Sequence, residues 1–163
     1  LGPIKTKALM IKINVITNNT NWYHYIKFPN SYIDRKTEKL NKKYKRYKKN
    51  IIFLTLLLSS NKEIKNLNKK FRKKNKTTDV LSFPFHRKKD LQKKLSKDKE
   101  IYLGDIIVNI NKIKNKENLN FFKLEFDKLW IHGLVHLFGH DHKLDKDFKK
   151  MSHVEAVFLE YIN

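Results

Sequence analysis

A single domain in which about four strands pack with several helices is what the sequence predicts, on three observations. The chain has 163 residues, a length that suits one domain. Its apolar residues, 40% of the total with 12% aromatic, suffice for a packed core despite a net charge of +21. They also fall into two patterns, short runs with strand period and longer stretches with helical period.

Taken in order, Leu1–Leu9 carries no acidic residue and no apolar run of the secretory kind, which argues against export. Met10 is read as the native start, with residues 1–9 a natural extension or a cloning scar. Met10–Thr17 alternates, placing Ile11, Ile13 and Val15 on one face of a strand. Asn18–Asn30 reads as a polar loop with exposed Trp22, Tyr23 and Tyr25. Ser31 and Asp34 resemble a capping box opening a helix, with Ile33, Leu40, Tyr44 and Tyr47 on its apolar stripe.

Ile51–Leu58, IIFLTLLL, is a continuous apolar run but for Thr55, as expected of a central strand covered on both faces. Asn61 can cap a second helix that carries Ile64, Leu67 and Phe71 and ends near Asn75. Thr78–Phe85 reads as a strand that Pro84 confines to a sheet edge or a strand end. His86–Glu100 is a charged surface loop with room for a helix. Ile101–Asn109 is a fourth strand in which Gly104 marks a bulge or a close approach. Asn120 to about Leu137 is a long helix ending at Gly139, and Asp145–Ile162 a last one with Met151, Val154, Phe158 and Tyr161 inward.

Composition closes off several functions. No apolar stretch approaches the roughly 18–20 residues of a bilayer span. Without cysteine there is no disulfide, thiolate nucleophile or Cys-type zinc site, which leaves His, Asp and Glu as metal ligands and fits a cytoplasmic protein. The excess charge is nearly all lysine, arginine occurring only at positions 35, 46, 72 and 87. An AT-rich coding bias would produce the same lysine coat; a field this positive also attracts phosphate backbones.

Four of the seven histidines fall in HGLVHLFGHDH, at positions 132, 136, 140 and 142. Residues four apart share a helix face, so His132 and His136 can present nitrogens to one ion. Gly139 can then take the left-handed turn that folds a third ligand over, with His142 the natural candidate. H-x-x-x-H-x-x-G-x-x-H is the spacing by which metzincin peptidases offer three histidines to zinc. The set fits Zn²⁺ best, though Ni²⁺ or Cu²⁺ also accept imidazoles. His140 points elsewhere by its place in the turn, and His24, His86 and His153 carry no pattern. A zinc peptidase has glutamate after the first histidine as its base, whereas Gly133 stands here. Phosphodiester chemistry would instead want an arginine to meet transition-state charge.

The segment His132–His142 resembles the defining motif of the YbeY endoribonucleases, H-G-x-x-H-L-x-G-x-D-H, and RKKNKTTDVLSFPF at Arg72–Phe85 and LGDIIV at Leu103–Val108 are similar to further stretches of that family. The resemblance implies an α+β, zincin-like fold over residues 10–163, a mixed sheet of about four strands backed by helices, with the metal at the mouth of a cleft. It implies His132, His136 and His142 as ligands of one Zn²⁺ per chain, and Arg72 as the catalytic arginine beside the scissile phosphate. Asp105 and Asp141 are candidates for orienting the ligand imidazoles. The implied activity is a single-strand-specific, metal-dependent endoribonuclease of 16S rRNA 3′-end maturation and ribosome quality control, with single-stranded RNA and the small ribosomal subunit as partners. The alternatives are a zinc metallopeptidase or amidase, which Gly133 opposes, and a non-catalytic RNA-binding ribosome assembly factor in which zinc only staples two helices.

Overall fold

Alternation of buried with exposed residues along Ile11–Thr17 (β1), and of buried with half-buried ones along Ile51–Ser59 (β2), sets both strands into one sheet whose two faces differ. The computed structural model describes residues 10–47 and 49–163, so the reading of residues 1–9 lies outside the described part. The sheet is completed by Val80–Pro84 (β3) and Glu100–Asn109 (β4), in the order β1-β2-β4-β3. The first two neighbouring pairs are parallel and β3 runs antiparallel to β4. The apolar run of β2 is therefore central, and the proline-containing β3 is an edge, as their compositions require.

The helices are Pro29–Lys43 (α1), Asn61–Arg72 (α2), Lys88–Lys97 (α3), Leu119–Leu137 (α4) and Asp145–Ile162 (α5). One face of the sheet packs Ile13, Leu54, Leu56, Ile106 and Val108 against Ile33 and Leu40 of α1, Phe126, Trp130 and Leu134 of α4 and Phe158 of α5. On the other face, α2 joins its Ile64 to Leu81 and Ile107 in a smaller cluster. Trp22, Phe122, Phe126 and Trp130 are fully buried, each stabilising the fold by about 1.5–3 kcal/mol. The architecture is α+β with a mixed four-stranded sheet.

Gly104 makes both a bulge and a close approach. The β2–β4 register slips there, Phe53 facing Tyr102 and Leu54 facing Gly104, so Leu103 is the extra residue. With φ at 139° and a would-be Cβ only 2.1 Å from the Phe83 carbonyl oxygen, no other residue fits.

Several local expectations need correction. Trp22 is fully buried and its indole N–H donates to the Ser59 carbonyl at 3.0 Å, in a short 3-10 turn over Thr20–His24. The aromatic was hidden by its polar neighbours. Helix α1 begins at Pro29, whose fixed φ suits a first turn, so Ser31 lies inside the helix and does not cap it. It also stops at Lys43, leaving Tyr44 and Tyr47 beyond its end, packed on Phe138. Ser60, not Asn61, is the N-cap of α2, which ends at Arg72 because Lys73 turns left-handed at φ 55°. The charged segment after β3 does hold a helix, α3, anchored by Leu91 and Leu95 one turn apart.

Candidate metal centre

Helix α4 runs under the sheet and carries His132 and His136 on one face near its end. Gly139, at φ 97°, turns the chain back there, its N–H donating to the His136 carbonyl at 2.9 Å. That reversal brings His142 over the helix end, and one ring nitrogen from each of His132, His136 and His142 lies within 4.8 Å of the others. The three residues that sequence spacing singles out do converge.

Hydrogen bonding fixes which nitrogens are free. His136 Nδ1 lies 2.8 Å from the His140 carbonyl oxygen, which can only accept, so that nitrogen carries the proton. His132 Nδ1 lies 2.6 Å from the Glu155 carboxylate of α5 and donates likewise. In the neutral rings that metal binding requires, both Nε2 atoms are then without a proton, and they lie 3.1 Å apart. Two lone pairs directed at one point repel unless something electron-poor stands between them. This donor set fits a divalent cation of the imidazole-preferring kind, such as Zn²⁺, Cu²⁺ or Ni²⁺. Burial, and secondarily charge on His132, hold the His136 pKa below its ordinary value, which keeps the ring neutral as a ligand must be.

The partners that orient these rings are not the expected ones. Asp105 lies on β4 and accepts from the Tyr102 hydroxyl at 2.5 Å, and the partners of the ring nitrogens of His132 and His136 among the described residues do not include it. Asp141 accepts from the Lys143 N–H at 3.3 Å and pairs with Lys88, and its pKa is lowered chiefly by that backbone bond. The orienting groups are Glu155 and the His140 carbonyl. Glu155 has no sequence signal, being 23 residues from His132 on another helix.

Arg72, the last residue of α2, reaches the same cleft. Its Nη2 donates to the Ser82 carbonyl at 2.7 Å and its guanidinium lies 5.5 Å from the Phe83 ring centroid, so its plane is held from two sides. The cleft encloses about 840 Å³ and is also lined by Phe85, at the end of the strand expected over Thr78–Phe85, and by His86 and Arg87, which fall in the segment expected to be a surface loop. Gly133 is more than a missing glutamate. A Cβ there would stand 2.6 Å from Ile106 Cγ2 in the core, so a peptidase base has no space at this position.

A mixed sheet with three converging imidazoles at the end of its longest helix, and an arginine in the same cleft, defines a zincin-like α+β protein whose donor set fits a metal. The family model described as Endoribonuclease YbeY matches residues 16–163. Proteins named Endoribonuclease YbeY are similar over nearly the whole chain. That of Pelagibacter ubique (strain HTCC1062) is 44% identical, covering 94% of this chain and 97% of the relative. That of Ehrlichia canis (strain Jake) is 32% identical, covering 93% and 92%. The solution structure of TM1509 from Thermotoga maritima aligns with a TM-score of 0.57 at 26% identity, covering 93% of this chain and 89% of that one. The chain belongs to the endoribonuclease YbeY family.

Proposed function

We propose that this chain is a metal-dependent endoribonuclease that cuts single-stranded RNA and matures ribosomal RNA. The observation that carries the reading is the convergence of His132, His136 and His142 in one cleft with Arg72, in a basic chain of this family. His132, His136 and His142 would hold one Zn²⁺, with Glu155 and the His140 carbonyl fixing the rings. The ion, when bound, supplies Lewis acidity toward a phosphate oxygen or an attacking water.

The remaining work belongs to protein side chains. Arg72 keeps its guanidinium pointed into the cleft through Ser82 and Phe83, and its remaining N–H donors are available to a phosphate in the bidentate manner that lysine cannot match. As negative charge develops on the phosphoryl oxygens, that fixed cation meets it without reorganisation. Surface lysines add affinity that does not read sequence, so binding should weaken at least about tenfold between roughly 50 and 200 mM salt. The finer reading is 16S rRNA 3′-end maturation and ribosome quality control on the small subunit, in the cytoplasm, by a domain spanning residues 10–163. Gly133 stands against a peptidase.

The test is cleavage of single-stranded and duplex RNA by wild type, Arg72→Ala and His136→Ala, with metal content measured in each. Single-strand cutting by the wild type alone supports the proposal. Equal RNA decay in all three preparations, or a metal-loaded wild type that cuts nothing, overturns it.

A further inference from the structure

An ion held by the histidines, Arg72 and the lysines would all address phosphate, and a duplex displays its phosphates as fully as a single strand does. Preference for single strands, on which this inference rests as part of the function proposed above, requires a group that touches unpaired bases. Phe85 occupies the right place. It follows the edge strand β3, is 69% exposed, and lines the same cleft as Arg72, Arg87, His132 and His136.

An open phenyl ring among cations gains nothing from water, yet its mounting is rigid. The Phe85 N–H donates to the Leu103 carbonyl at 2.9 Å, beside the Gly104 bulge, where a Cβ would stand 3.0 Å from the Phe85 nitrogen. The ring meets His86 at 5.0 Å and Tyr102 at 5.7 Å between centroids, both nearly perpendicular. Tyr102 is itself tied down, its hydroxyl bonded to Asp105 at 2.5 Å and to Thr55 of the central strand at 2.7 Å. Asp105 therefore holds the buttress of Phe85 and not a metal ligand.

We propose that Phe85 is a base-stacking platform at the lip of the metal cleft. An unpaired nucleobase of single-stranded RNA lies on its ring while the adjoining backbone enters among Arg72, Arg87 and the histidines. A base inside a duplex is already stacked and paired, and cannot reach the ring without leaving its helix. Phe85 thereby converts a phosphate-binding cleft into one selective for single strands.

The full chain, metal-loaded, would be titrated into a fluorescein-labelled single-stranded RNA of about twelve nucleotides, and into its blunt duplex, following anisotropy with the RNA verified intact by gel. Phe85→Ala and Phe85→Leu are expected to weaken single-strand binding about tenfold, leaving duplex binding, metal content and Tm unchanged. Phe85→Trp is expected to retain binding. Because Trp22 and Trp130 are fully buried, they emit at shorter wavelength than an exposed indole and no base can stack on them, so unlabelled single-stranded RNA should quench the red side of the emission while the duplex should not.

Unchanged single-strand binding in Phe85→Ala, full binding by Phe85→Leu, an equal loss on the duplex, or an unquenched Phe85→Trp would each overturn the stacking role. A wild type that binds and cuts single strands while Phe85→Ala does so equally well overturns this inference alone. A wild type that neither binds nor cuts RNA overturns the proposed function with it.

Discussion

Asp127 and His132 lie little more than a turn apart on α4, yet their surroundings treat polar atoms in opposite ways. Asp127 is 1% exposed and its carboxylate is fully partnered, accepting from the Tyr32 hydroxyl and the Trp130 indole at 2.9 Å each and pairing with Lys36 at 3.3 Å. Burial raises its pKa, with the Trp130 and Lys36 contacts opposing, and burial likewise pushes the Tyr32 pKa up. His132 and His136 are half-buried, each is bonded through Nδ1 to an oxygen, and their Nε2 atoms meet each other at 3.1 Å. The first arrangement is complete without a ligand and serves the fold. The second leaves imidazole nitrogens with no oxygen partner, in a geometry that suits a metal ion.

The sharpest break in that comparison is His136→Ala. It removes one of three convergent nitrogens, and we expect RNA cleavage to fall more than about 100-fold with loss of bound metal, while the chain stays folded by circular dichroism. Asp127→Ala should do the reverse. Leaving the Tyr32 hydroxyl, the Trp130 N–H and Lys36 without their acceptor is expected to cost about 3 kcal/mol of stability, measured by urea unfolding, with the metal stoichiometry of the folded fraction unchanged.

Glu155→Gln sharpens the contrast more gently. It keeps the shape but not the charge behind His132, and should weaken metal affinity about 10- to 100-fold by competition with a chelator. Asp105→Asn should leave that affinity unchanged, since Asp105 bonds to Tyr102.

The smallest effect is on pH dependence. The His136 pKa is lowered on folding, so the unfolded chain binds more protons below the ordinary value of 6.5, and metal-free protein should lose stability as pH falls through that value toward the depressed one. Thermal unfolding between about pH 5 and 7.5 should show this slope, flattened in His136→Gln.

What the sequence made legible was whatever repeats with a local period or sits at a local spacing. The two-residue alternation of β1, the apolar run of β2 and the proline of β3 located three strands, and the last two pointed to a central place for β2 and an edge or strand end for β3. The histidines were legible because i, i+4 spacing and one glycine lie within eleven residues. Glu155 was not, because its bond to His132 depends on how α5 packs across α4 and no local pattern marks it. Trp22 was misplaced outward for a similar reason: its burial comes from Phe122 and Phe126, about a hundred residues away, and not from its polar neighbours. Asp105 and Asp141 were plausible from composition alone, yet each is engaged by a nearer donor.

The central claim is that the three histidines form a site completed by one ion. Titration of Zn²⁺ into metal-free wild type and His136→Ala, followed by calorimetry and by the shift in Tm, tests it most directly. The account predicts one ion per chain, a Tm that rises with free metal as ligand binding to the folded state requires, and loss of both in the variant. Binding of equal strength and stoichiometry in His136→Ala, or no binding to the wild type, would contradict it.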